Sequence, residues 1–285
     1  MKLTEIDLGL GGGTLLQVAN REHTQMMSYM IKTDTGKVIM IDGGNYKRPE
    51  DAENLYDIIM QAGGKVDAWF ITHAHSDHIG ALVYIFEKYG NAIDIATIYF
   101  DFPDRNWLVK VGGESKKPGD TWCTDEFLKY VKEFNINCKK PTKDEIIDLG
   151  VKFEILNEAL RDCDKYDDTN DTGICIKAHF KNREVLFLGD IGQAAQNNLI
   201  EDAGDRLRCD IVQMAHHGQN GVDIDLYKKV KPKVCLWPTP DWLWYNDSGD
   251  GIGSGFWKTL LTRRWMDELG VCEHYVAKDG DYLFK

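Results

Sequence analysis

The sequence contains no apolar run approaching the ~20 residues needed to cross a bilayer. Its start, Met1-Lys2-Leu3-Thr4-Glu5, reaches Asp7 without the apolar core of a secretory signal. The expectation is a cytoplasmic protein with no membrane partner. Positive charge is also short: 34 Lys and Arg face 46 Asp and Glu, a formal net charge of −12. A protein that holds nucleic acid by neutralising phosphates is expected to be basic, so long DNA or RNA makes a poor partner. The seven cysteines are odd in number and none forms a CxxC pair, which argues against a disulfide framework and a zinc ribbon. Cys175, Cys209, Cys235 and Cys272 fall in apolar runs and read as small buried hydrophobes. A serine-hydrolase elbow is missing too. Gly251-Ile252-Gly253-Ser254-Gly255 has the wrong order and no strand before it.

What is present is an ordinary globular balance over 285 residues, 43% hydrophobic and 28% charged. Residues 3–8 and 14–18 read as two strands around the glycines at 9 and 11–13, a hairpin rather than a phosphate cradle. Residues 27–32 and 38–42 form a second hairpin, followed by a helical pattern over 51–60 and a buried strand at 68–72. A helix is expected over about 79–88 and a strand over 95–100. The more polar stretch 101–144, with one amphipathic helix near 125–134, reads as an insertion within a single domain spanning 1–285. Strands follow at 152–156, 173–177, 185–188, 211–214 and 234–237, then a helix over about 256–268 and a closing pair of strands. This order suits a layered α/β fold, two sheets packed face to face with helices outside.

Histidine is scarce, but five of the eight fall in two tight clusters. The first, Thr72-His73-Ala74-His75-Ser76-Asp77-His78, follows the buried strand at 68–71 and runs into a helix. In extended chain His73 and His75 share a face, and Asp77 and His78 fall at the turn, within reach of a second ion. Imidazole with carboxylate is a donor set that zinc, iron or manganese accepts. The second cluster, His216-His217-Gly218, also ends an apolar strand. Between them Leu188-Gly189-Asp190 puts a carboxylate at a strand end, suited to bridging two cations. Asp42, in Ile41-Asp42-Gly43-Gly44, has the same setting, and its expected task is to accept hydrogen bonds that orient the His73 loop. Residues 237–257 are rich in aromatics, and Trp242, Trp244 and Tyr245 form a candidate wall over the site that could stack on a substrate.

These residues, in this order, resemble the metallo-β-lactamase fold superfamily of metallohydrolases. The opening IDLGLGGGTLLQV, Asn170-Asp171-Thr172-Gly173 before a strand, LGDI, His-His-Gly and Val230-Lys231-Pro232-Lys233 are similar to the hydrolase domain of the competence protein ComEC and its soluble relatives. The resemblance implies a four-layer αββα sandwich with two divalent ions, zinc foremost and manganese or iron as alternatives. His73 and His75 would hold the first ion, Asp77 and His78 the second, and Asp190 both. His216 would complete the second site, with His217 facing substrate. Many members carry a further histidine about twenty residues before the bridging aspartate. Here Asn170-Asp171 stands there, so an oxygen such as that of Asn170, or a water, would replace it and favour harder ions.

The implied activity is hydrolysis by hydroxide generated at the metal pair, with Asp77 orienting it and His217 donating to the developing charge. The expected substrate is a small phosphodiester or short nucleic-acid-like molecule. Carboxylic esters, lactones and thioesters suit the same chemistry, and a catalytically silent metal-dependent binding protein is the non-enzymatic alternative. A diiron redox protein of the same superfamily would need a flavin domain and a fuller carboxylate set, neither evident here.

Overall fold

The computed structural model describes residues 3–162 and 168–285, so Cys163 lies outside the described residues. Alternation within short strands builds the layers. In Val38–Ile41 the side chains of Ile39 and Ile41 enter one apolar cluster, and those of Val38 and Met40 enter another on the opposite face. The first cluster is the space between two sheets, where Tyr29, Ile31 and Phe70 meet Phe153, Ile176 and Phe187. The second lies between the first sheet and the helices Pro49–Gln61, Ser76–Tyr89 and Asp120–Glu133. A third lies between the other sheet and the helices Gln193–Ala203, Ile224–Val230 and Thr259–Glu268. Three apolar interfaces separate four layers, helix–sheet–sheet–helix, as the αββα expectation requires.

The first sheet has eight strands in the spatial order Leu3–Ile6, Asp281–Phe284, Gly13–Gln17, Tyr29–Thr33, Val38–Ile41, Ala68–Phe70, Ile98–Tyr99 and Cys138–Lys139. The second has seven: Ile146–Asp148, Lys152–Ile155, Ile176–His179, Glu184–Phe187, Ile211–Gln213, Val234–Trp237 and Glu273–Val276. Val38–Ile41 and Ala68–Phe70 run parallel, as do Glu184–Phe187 and Ile211–Gln213. Parallel pairs deliver their carboxyl ends, and the loops that follow, to one edge.

Several local expectations change. The first two strands do not form a hairpin, because Asp281–Phe284 inserts between them, parallel to one and antiparallel to the other. The glycine segment is wide enough to wrap the chain end, and Leu8 and Leu10 donate their N–H groups to the Lys285 carbonyl. The closing strands likewise part company, one in each sheet. Cys175, Cys209 and Cys235 are buried, but Cys272 is exposed, since Val271 takes the inward position beside it. The polar stretch carries two helices, Arg105–Gly112 and Asp120–Glu133, where one was expected.

Candidate metal centre

Four strand ends converge at the shared edge. The helix Ser76–Tyr89 begins three residues earlier than its apolar pattern suggested, which places Asp77 and His78 in its first turn and His75 at its N-cap. No side chain within the helix caps it. Asp120 does so from the polar stretch, accepting the Ser76 N–H at 2.8 Å. The helix passes so close to the Asn45–Tyr46 backbone that a Cβ at Gly80 would sit 2.3 Å from the Tyr46 nitrogen. Ala81 and Leu82 donate their N–H groups to the carbonyls of Gly44 and Gly43, sewing the Asp42 loop to the helix. Asp190 sits after Gly189, whose φ of +56° and 3.0 Å clearance to the Thr72 side chain admit no larger residue without strain.

Asp77, His78, Asp190 and His217 each offer one ligand atom, and these atoms lie within 4.8 Å of one another. Nε2 of His78 and Nε2 of His217 are each 3.2 Å from Asp190 Oδ2, and His217 Nε2 is 3.3 Å from Asp77 Oδ2. The His73 ring lies 4.1 Å from that of His78 and 4.7 Å from that of His75. Despite the short distances, Nε2 of His73, His78 and His217, Oδ1 of Asp190 and Oδ1 of Asn170 are buried with no hydrogen-bond partner. A buried unsatisfied polar atom costs roughly 1–3 kcal/mol. A cation at the point of convergence removes that cost at several atoms together, so the donor set fits divalent metal.

The opposite edge of each ring explains why the Nε2 lone pairs are free. His78 Nδ1 donates to Asp42 Oδ2 at 2.7 Å, and His217 Nδ1 donates to the Pro238 carbonyl at 2.7 Å. The Thr72 hydroxyl donates to Asp42 Oδ2 at 2.8 Å and so accepts from His73 Nδ1 at 3.1 Å. Fixing Nδ1–H in this way selects the tautomer that presents Nε2. Asp42 also accepts the Thr72 N–H at 2.7 Å, so it steers both the His73 loop and His78.

With no cation bound, electrostatics favour a proton on the same Nε2 atoms of His78 and His217 that a metal would displace. Burial works against charge on His217, but Asp190 and Asp77 outweigh it and push the imidazole up to about 9. Asp190 and Asp42 likewise override burial to raise His78. Burial would raise Asp190, but His217 and His78 hold its carboxyl well below the usual range. His73, buried beside His78 and His75, is driven well below its usual value and stays neutral.

Of the two adjacent histidines, His217 and not the expected His216 gathers with Asp77, His78 and Asp190. His217, fully buried, joins the cluster, while Nε2 of His216 is 4.0 Å from Asp190 Oδ2 and its side chain is one-fifth exposed. The reason is the backbone. Both residues are left-handed, with φ near 50°, so the alternation of the strand stops at Gln213. Asn170 lies in a short turn, Thr169–Thr172, with its Oδ1 unpartnered.

Gln213 is the residue the sequence reading overlooked. Its Oε1 accepts the N–H groups of Leu188 and Gly189, both at 2.8 Å. Its amide donates to the carbonyls of Gly189 at 3.0 Å and Met214 at 2.7 Å. One buried side chain thus fixes the Asp190 loop against the His217 loop. A glutamine ending an otherwise apolar strand was the only sign of it.

The aromatic wall divides. A cavity of about 380 Å³ at the mouth is lined by Trp242 together with His23, Lys47, His75, Asp77 and Asp120, among others. Trp244 instead packs edge-on against Trp237 at 5.2 Å, with the Arg263 guanidinium 4.0 Å from its ring. Tyr245 faces out beside Lys278. The helical turn Asp241–Trp244 sends these rings in different directions around the buried Leu243. His23, given no role from sequence, accepts the Trp242 indole N–H on its carbonyl at 2.9 Å and pairs with Asp241 at 2.9 Å.

The sequence model of the metallo-beta-lactamase superfamily matches residues 24–237, which include every residue of the cluster. The chain belongs to that superfamily. Among solved structures, this superfamily fold is similar to the metallo-beta-lactamase fold protein YhfI from Bacillus subtilis, at 12% identity and a TM-score of 0.54, over 95% of this chain and 99% of that one. It is also similar to Tm1679, a metal-dependent hydrolase of the beta-lactamase superfamily, at 12% identity and a TM-score of 0.53, over 94% of this chain and 98% of that one. A third likeness is to the CmlA beta-hydroxylase E377D mutant, at 13% identity and a TM-score of 0.55, covering 95% of this chain but 53% of that one. At such identities the likeness speaks for the fold alone. The search of curated proteins gives no match. No helix among the described residues is long and apolar enough to cross a membrane.

Proposed function

We propose that this chain is a metal-dependent hydrolase acting at a pair of divalent cations, zinc foremost, on a small phosphodiester. The convergence of Asp77, His78, Asp190 and His217 on one point, with their nitrogens unsatisfied, carries the reading. His73, His75, Asp190 and Asn170 would hold the other ion. Bound cations of this kind lower the pKa of water from 15.7 toward ~7 and polarise the scissile oxygen. Asp77 Oδ2 would fix the direction of the attacking water. His217 cannot also donate to substrate, because Nδ1 is held by Pro238 and Nε2 faces the cluster. His216, at the rim, takes that task. Trp242 forms the wall against which a planar group rests.

The kinship proposed with ComEC-type hydrolase domains, together with hard-ion donors such as Asn170, favours phosphodiesters over lactones and β-lactams. The −12 charge and the 380 Å³ cavity favour small substrates over long duplexes. The test is metal analysis combined with turnover of bis(p-nitrophenyl) phosphate, a set of lactones and nitrocefin. The phosphodiester should be cleaved with the highest kcat/KM, and His78→Ala should abolish it. A folded protein that binds metal but turns over none of these is a binding protein instead.

A further inference from the structure

The aromatic surface at the mouth continues away from it. Trp242 lines the cavity beside His75 and Asp77, and its indole is tied to the His23 carbonyl at 2.9 Å. The Trp257 ring lies 4.8 Å from that of Trp242, and the Phe256 ring lies 4.6 Å from that of Trp257 at an interplanar angle of 30°. The three side chains form one strip that leads from the mouth to solvent. Its outer end is bare. Phe256 is 78% exposed, the most exposed large apolar side chain among the described residues.

The loop that carries this ring is tightly bonded. The carbonyl of buried Asn246 accepts the Gly255 N–H at 2.7 Å, its side-chain amide donates to the Gly255 carbonyl at 3.0 Å, and its Oδ1 accepts the Trp257 N–H at 3.1 Å. Asp247 Oδ1 accepts the N–H groups of Gly249 at 2.8 Å and Gly251 at 3.0 Å. The Trp257 ring presses on Gly255, where an added Cβ would sit 2.5 Å from it. An ordered loop thus holds a phenylalanine in water, although burying such a side chain stabilises by roughly 1.5–3 kcal/mol. A ligand that covers the ring recovers that energy. Two exposed lysines stand close by in the chain or the cavity, Lys258 after Trp257 and Lys47 at the mouth, and neither forms an ion pair among the described residues. Free positive charge beside exposed rings suits planar groups joined by phosphates, whereas an acyl chain has no use for it.

Resting on the phosphodiester reading above, we propose that Trp257 and Phe256 form a second subsite, which takes a further planar group of the substrate beyond the one that rests on Trp242. The substrate class is then a short phosphodiester carrying two planar groups in succession, such as two nucleobases.

The experiment is calorimetric titration of the intact protein, saturated with Zn²⁺, with thymidine 5′-phosphate and with the dinucleotide pTpT made with an uncleavable methylenephosphonate link. Turnover of bis(p-nitrophenyl) phosphate is followed alongside. The second base should tighten binding roughly tenfold. Phe256→Ala should erase that gain, Phe256→Tyr should keep it, and Phe256→Leu, apolar but without a π-face, should not restore it. Ile252→Ala, 74% exposed on the same loop but outside the strip, should retain the full gain. Equal affinity for the two nucleotides, or a gain that survives Phe256→Ala, overturns the inference. So does a Phe256-dependent preference for decyl over ethyl phosphate in place of the nucleotide gain, which assigns the strip to an acyl chain. A dimer in sedimentation that Phe256→Ala dissociates, again without the nucleotide gain, overturns it by assigning the strip to a second copy. In each of these cases cleavage of bis(p-nitrophenyl) phosphate leaves the hydrolase reading standing. A protein that neither binds thymidine 5′-phosphate nor cleaves that ester overturns both.

Discussion

At the scale of single residues, the centre depends on groups that never touch the reacting atoms. Asp42 is the clearest. It is fully buried and takes three hydrogen bonds, from the Thr72 N–H, the Thr72 hydroxyl and His78 Nδ1. Asp42→Ala should lower metal affinity about 10–100-fold, the usual effect of losing such an outer partner. Competition against a chromophoric chelator measures it, and Asp42→Asn, which keeps an acceptor, should lose less. Protons are linked to the same atoms. With no cation bound, His217 titrates near 9 because of Asp190 and Asp77, against ~6.5 in an unfolded chain. Its contribution to stability is therefore complete below about 6.5 and is lost as pH rises through about 9. An incoming ion must expel that proton. Calorimetry at pH 7.5 in buffers of differing ionisation enthalpy should show proton release on metal uptake, and the release should decline as pH passes 9. Much of this was legible, because His73, His75, Asp77 and His78 are neighbours in sequence and need only a strand end to aim them. Gln213 was not. Its role consists of four hydrogen bonds to backbone groups of two loops, and nothing in Ile211-Val212-Gln213 announces them.

At the scale of elements, backbone contact sets the site. Gly80 belongs to a helix interior, where alanine is ordinarily preferred, yet a Cβ there meets the Tyr46 backbone nitrogen. Gly80→Ala must push the helix away from the Asp42 loop. The expected loss is about 1–3 kcal/mol in urea unfolding, typical of overpacking, with weaker metal binding besides. Gly90→Ala in the same helix is the control. That residue lies at the C-cap with nothing within 4 Å of an added Cβ, so it should cost only its φ strain and leave metal affinity unchanged. Elements themselves were read well where alternation is local, as in Tyr29–Thr33 and Val38–Ile41. They were misread where pairing joins distant chain. Asp281–Phe284 lies between the first two strands through contacts about 270 residues apart, and a window of a dozen residues carries no record of them. That His217 rather than His216 lies in the cluster has a similar origin, since two successive left-handed residues are a conformation that sequence pattern rarely signals.

At the scale of the whole molecule, the centre joins the two sheets. Asp77 and His78 follow a strand of the first, and Asp190 and His217 follow strands of the second. The interface between the sheets is otherwise apolar, packed by residues such as Phe70 against Phe153 at 5.1 Å. At its edge lie the buried carboxylates of Asp77 and Asp190, offset in part by His78 and His217, and several buried polar atoms without hydrogen-bond partners that a cation would satisfy. Because an ion binds the folded state and scarcely the unfolded one, free metal at 1,000 times its Kd adds about 4 kcal/mol of stability. For a domain of this size, each kcal/mol moves the midpoint by about 2–4 °C, so EDTA should lower Tm by roughly 8–16 °C. If the ion acts as a tie between sheets, Asp190→Ala should melt at nearly the same temperature with and without EDTA. His23→Ala, at the mouth, should keep the full difference. Wild-type protein whose melting ignores EDTA would show that the sheets close without the ion, and the convergence of these four side chains would then need another cause.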